Sequence, residues 1–120
     1  MKLNPDCVRD ILFYVEDNTG YHKFVEINKI VEALEPKYDS DTIRYHVKQC
    51  ELNFFFTTIT YYLGGNGSIQ DLSPKAHEFI ANIRNDNNWH KIKEKAKSVG
   101  SFSLNALSQI AIAYVSSLIS

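Results

Sequence analysis

Residues 72–83 constrain the fold more than any other stretch, because they follow a tight turn and open a helix with a clear start signal. The turn is Gly64-Gly65-Asn66-Gly67, whose glycines supply the positive φ angles a hairpin needs. Ser73 stands where a hydroxyl caps a helix, and Pro74 takes the first helical position, where a missing N–H costs nothing. Ala76, Phe79, Ile80 and Ile83 then recur at i, i+3, i+4 and i+7, one apolar stripe of a helix. Before the turn, residues 54–63 are aromatic and β-branched, the composition of a strand. Residues 68–72 read as its shorter, more polar return.

Upstream, Asn4-Pro5-Asp6 starts a helix whose buried stripe is Val8, Ile11, Leu12 and Val15. Residues 23–27 read as a short extended piece. A second helix carries Ile27, Ile30, Val31 and Leu34 and stops at Pro36. Asp39-Ser40-Asp41 caps a third, running to about Glu51, with Ile43, Val47 and Cys50 as its apolar seam. Its opposite face presents Asp41, Thr42, Tyr45, Lys48 and Gln49, with Arg44 and His46 on the flanks. Helices two and three form a helix-turn-helix pair.

Residues 85–88, Asn-Asp-Asn-Asn, mark the best boundary in the chain. Beyond them, Trp89, Ile92, Ala96 and Val99 predict a lysine-bearing helix stopped by Gly100. Ser103 caps a final helix in which Leu104, Leu107, Ala111, Tyr114 and Leu118 alternate at steps of three and four. No charged residue follows Lys97, and Ile110, Ile112, Val115 and Ile119 lie outside that series. An apolar surface this wide predicts a partner face, and these five residues are the candidate homodimer contact. The expected organisation is a unit at 1–86 and a helical extension at 87–120 serving dimerisation.

The element order helix, short strand, helix, helix, hairpin, helix resembles a winged helix-turn-helix, an α+β fold of three helices and a β-hairpin wing, here with extra C-terminal helices. Residues 72–80 (LSPKAHEFI) are similar to the Leu-Thr-x-x-Gly-x-x-x-Leu segment that follows the wing in many bacterial regulators, with Ala76 in place of its glycine. Residues 1–9 (MKLNPDCVR), 72–86 (LSPKAHEFIANIRND) and 99–107 (VGSFSLNAL) resemble a family of small phage and prophage proteins known only as a domain of unknown function. That resemblance implies a mobile-element origin and a winged-helix core. It brings no catalytic or binding residues.

Charge bears directly on function. Residues 1–86 hold 9 Lys and Arg against 13 Asp and Glu, whereas residues 87–120 hold four Lys and one Glu. A nucleic-acid binder usually carries a basic patch, and the part expected to read DNA is acidic on average. Phosphate neutralisation supplies most duplex affinity, so Arg44 and Lys48 alone predict weak binding with a shallow salt dependence.

Enzymatic chemistry finds no motif: there is no Gly-x-Ser-x-Gly, no phosphate loop and no acid pair in a recognisable setting. His22, His46, His77 and His90 are scattered outside zinc-site spacing, so neither metal nor cofactor is expected. Cys7 and Cys50 read as free thiols in a reducing cytoplasm. No signal peptide or membrane span is expected.

The first expectation is a non-enzymatic, DNA-associated regulator that meets double-stranded DNA through Thr42, Arg44, Tyr45, Lys48 and Gln49. The alternative is a protein-interaction module acting on a host or phage protein. A positive surface around the third helix favours the former, a neutral or negative one the latter.

Overall fold

The structure, a computed structural model, describes residues 1–119. It is α+β, with six helices and a small three-stranded antiparallel sheet among the described residues. In chain order these are α1 (Pro5–Asn18), β1 (Val25–Glu26), α2 (Ile27–Leu34), α3 (Ser40–Leu52), β2 (Ile59–Tyr61), β3 (Gly67–Ile69), α4 (Pro74–Ile83), α5 (Asp86–Val99) and α6 (Leu104–Ile119).

Local chemistry starts five of the helices. A side-chain oxygen of Asn4, Asp39, Ser73, Asn85 or Ser103 accepts from backbone N–H groups in the first turn that follows it. Each bond satisfies donors that have no partner within the helix. Helix α2 lacks such a cap. There the Asn28 N–H donates instead to Oδ1 of Asn66, across from the hairpin turn, at 3.0 Å.

Strand β3 is central, with Ile69 opposite both Val25 and Ile59. Gly67 is required there by close approach. A Cβ at this position would lie 2.7 Å from the Thr60 carbonyl oxygen and 2.9 Å from Cδ1 of Ile27. Gly64 and Gly65, at φ 86° and 84°, turn the chain between β2 and β3.

One cluster of buried residues runs from Cys7 and Ile11 on α1 to Leu107 and Ala111 on α6. The C-terminal helices therefore share the core of the first 86 residues. Trp89 packs edge-on to Phe79, and its indole N–H donates to Asp6 on α1 at 2.8 Å. Lys93 reaches the same carboxylate oxygen, also at 2.8 Å. Burial alone would raise the Asp6 carboxyl, but Lys93 and Trp89 together hold it below its ordinary value. Arg9 adds bonds to the carbonyls of Ile83 and Arg84 and to Asp86.

Two expectations need correction. The strand foreseen over 54–63 is only Ile59–Tyr61, with a single further bridge between Phe56 and Leu72. The α3 termination consumes the residues before it. Phe54 adopts φ 61°, its N–H donates to the Glu51 carbonyl, and the Phe55 N–H donates to that of Cys50. This pair of bonds is a Schellman motif, in which the left-handed residue reverses the chain.

The second correction concerns α6. Leu104, Leu107 and Ala111 are buried within the chain itself, facing inward where α6 packs on α4 and α5. They are core and not an exposed dimer face. Tyr114 is half-buried, and Leu118 emerges because the last turn of α6 extends past the core. No helix of the described residues is long and apolar enough to cross a membrane.

Candidate interaction surface on the third helix and hairpin

The five candidate residues of α3 fall into two groups. Thr42, Tyr45, Lys48 and Gln49 keep partial or full exposure on its outer side. Arg44 does not project freely. Its Nε donates to Ser40 Oγ at 3.1 Å, one terminal nitrogen to the Gly65 carbonyl at 2.6 Å, and the other to Asn28 Oδ1 at 2.9 Å. One guanidinium thus ties α3 to the hairpin turn and to α2, using the planar donor fork that suits several acceptors at once. Arg44 is a brace between elements.

Lys48 is exposed yet paired, at 2.9 Å from Glu51. Its ammonium also lies 5.0 Å from the ring centre of Tyr61 on β2, and the Tyr61 hydroxyl donates to the same Glu51 oxygen at 2.8 Å. Burial and then the Glu51 bond push the Tyr61 hydroxyl above its ordinary value, so it stays a donor. The hairpin is therefore clamped to α3 at two points near its tip, by Arg44 on the turn and by the Lys48–Glu51–Tyr61 set at the turn end of β2.

What this clamped frame exposes is apolar and aromatic. Leu52 is 57% exposed, Phe54 75%, Tyr61 and Tyr62 about half, and Leu63 fully. Residues 52–70 contain no charged side chain. The formal charges on α3 and at its ends are Asp39, Asp41, Arg44, Lys48 and Glu51, joined by Lys75 of α4, whose ammonium lies 3.0 Å from the Asn53 carbonyl, and they sum to zero. With Arg44 committed to neighbours and Lys48 to Glu51, the charges around α3 balance and make no basic patch.

Phe54 stands out within it. The same termination closes α5, where the Gly100 N–H meets the Lys97 carbonyl and the Ser101 N–H meets that of Ala96. There the left-handed residue is glycine, at φ 78°. A phenylalanine in that conformation costs about 1–2 kcal/mol, which nothing in its own packing repays, because its ring faces solvent. Strain of this kind concentrates at functional positions.

Sequence reasoning placed His46 on the flank of α3, but it is fully buried. Its Nδ1–H donates to the Thr42 carbonyl at 2.7 Å, and its Nε2 accepts from the Asn4 N–H at 2.8 Å. Desolvation lowers its pKa, so the ring is neutral and holds the start of α1 against α3. No group of three or more His, Cys, Asp or Glu among the described residues is arranged to hold a metal. Burial pushes the Cys7 thiol up to about 12 and raises Cys50 as well, leaving both as inert core thiols. The signal missed in the sequence was Phe54, because Asn53, a usual left-handed residue, stands one position earlier as the C-cap at φ −94° and leaves the left-handed position to the phenylalanine.

These observations define an α+β protein whose most distinctive surface is an aromatic, uncharged hairpin braced against a helix. The chain belongs to a family described as "Hypothetical protein (DUF2513)", whose model matches residues 2–103. An uncharacterized protein of Haemophilus influenzae (strain ATCC 51907 / DSM 11121 / KW20 / Rd) is similar, at 28% identity over 122 residues covering 99% of each chain. No solved structure matches.

Proposed function

We propose that this protein is a non-enzymatic, winged-helix-like interaction module that docks a protein partner on the face where α3 ends against the hairpin. The order helix, strand, helix, helix, hairpin and the sheet order β1-β3-β2 support the winged-helix reading. The resemblance to small phage and prophage proteins directs the search for partners to phage and bacterial host proteins.

The observation that carries the proposal is the solvent-facing Phe54 ring in a left-handed backbone at the end of α3, where Leu52 is also exposed, as is Tyr61 on the strand bonded to Glu51. Buried aromatic anchors dominate protein interfaces, and the cores of such interfaces are depleted in charge. A duplex instead demands several unpaired cations, whereas on this face Lys75, held on the Asn53 carbonyl, stands without a carboxylate partner among the described residues and Lys48 is paired with Glu51.

One observation favours the DNA reading: Tyr45, Lys48 and Gln49 remain accessible on α3, the helix that would enter a major groove. Two measurements decide between the readings. Anisotropy of a labelled random duplex, titrated at low and moderate salt, is expected to show no salt-sensitive binding. Affinity capture from a host extract, run in parallel with wild type and Phe54→Ser, is expected to retain a protein that the variant loses. Salt-sensitive duplex binding that Lys48→Ala weakens would return the function to DNA.

A further inference from the structure

A second site lies on the far part of the chain and does not depend on the α3 surface. Helices α5 and α6 leave between them a groove of about 600 Å³. That volume lies within the roughly 300–1,000 Å³ typical of small-molecule sites. Ile92, Ile110, Ala113 and Tyr114 supply an apolar lining, and Lys91, Lys95, Glu94 and Ser98 the polar edge.

The charges on this edge are unevenly used. Lys93, on the neighbouring face of α5, is spent on Asp6. Lys91 and Lys95 are exposed and form no ion pair or hydrogen bond through their ammonium groups among the described residues. Their separation of four places them on successive turns of one helix face, about 5–6 Å apart at Cβ. Glu94 sits on the same edge, but its carboxylate lies 2.6 Å from the His90 ring. The opposite wall brings no counter-charge, because α6 contains no charged residue. The Tyr114 hydroxyl lines the groove without a hydrogen-bond partner among the described residues.

We infer that this groove binds a small amphipathic anion, with an apolar tail against Ile92, Ile110 and Ala113 and a carboxylate or phosphate head between Lys91 and Lys95. The charge pattern carries the choice of ligand. Two free ammonium groups beside one solvent-open apolar channel complement a molecule with charge at one end. A wholly apolar ligand leaves both cations unanswered, and a cation is repelled by them.

The test uses the full chain and sodium decanoate, titrated below its micelle concentration and followed by 1H–15N NMR. Decanol serves as the neutral control, and phosphatidylglycerol vesicles represent a membrane source of the same chemistry. Saturable, one-to-one shifts confined to residues 91–98 and 110–114 are expected, with decanol clearly weaker. The double variant Lys91→Gln/Lys95→Gln should weaken decanoate about tenfold, as expected for the loss of two exposed charge contacts. Ala113→Trp, at an exposed position from which the indole fills the channel without displacing a core side chain, should abolish binding while leaving a cooperatively folded protein. Absent or non-saturable binding, shifts elsewhere, or binding that survives Ala113→Trp overturns the inference. Binding to vesicles without binding to monomeric decanoate overturns it too, in favour of a membrane-surface contact.

Discussion

Replacing His46 by leucine separates the structural role of this residue from its titration. Leucine is of similar size and buries without a polar atom, so the cavity contribution is small. The Asn4 N–H, 2.8 Å from Nε2, loses its acceptor. An orphaned, partly buried donor costs about 1–3 kcal/mol, and that is the expected loss at pH 7.5.

The pH dependence then narrows the difference. In the unfolded chain His46 takes up a proton near its ordinary value of 6.5, whereas burial depresses its pKa in the fold. Stability contributed by the neutral ring is complete above the unfolded value and drains away as pH falls through the folded one. The slope cannot exceed about 1.4 kcal/mol per pH unit for one proton, so by pH 5 the loss reaches at most about 2 kcal/mol. His46→Leu lacks this component, and its deficit relative to wild type should shrink or vanish near pH 5. Urea unfolding at several pH values between 7.5 and 5, followed by fluorescence of the buried Trp89, measures both curves. Parallel curves across this range would refute the assignment of His46 as a neutral core hinge between α1 and α3.

Phe54→Gly should stabilise the fold by about 0.5–1 kcal/mol, because it relieves the left-handed strain and gives up little packing. It should also abolish capture of the protein partner. A destabilisation above about 1 kcal/mol in the same urea assay would mean that the exposed ring contributes packing after all. Arg44→Ala removes three hydrogen bonds joining α3, α2 and the hairpin turn, and should cost about 1–2 kcal/mol after allowing for partial exposure. Faster amide exchange in residues 62–66 should accompany it, and unchanged exchange and stability would remove Arg44 as the brace.

The helix boundaries were legible in the sequence because capping acts over three residues. Asn4, Asp39, Ser73 and Ser103 each sit within reach of the N–H groups they satisfy, whatever surrounds them. Gly100 is legible for the same reason, as are the apolar stripes of α1 and α4, whose buried residues match the helical spacing read from the chain. The hairpin turn was equally plain, since Gly64 and Gly65 hold the positive φ angles their composition suggested.

Tertiary structure alone decided which surfaces remained available. Arg44 and Lys48 are cations in the sequence, but contacts to the hairpin commit them, Arg44 at Gly65, 21 residues away, and Lys48 at the Tyr61 ring and through Glu51, whose bond to Tyr61 spans 10 residues. His46 became core because α1 returns across α3 and presents a backbone donor 42 residues distant in sequence. Helix α6 offered no charged face from which to judge its orientation, so only its packing on α4 and α5 could show that Leu104, Leu107 and Ala111 point inward. A cap is satisfied by neighbours in the chain, whereas exposure depends on what the rest of the chain brings alongside.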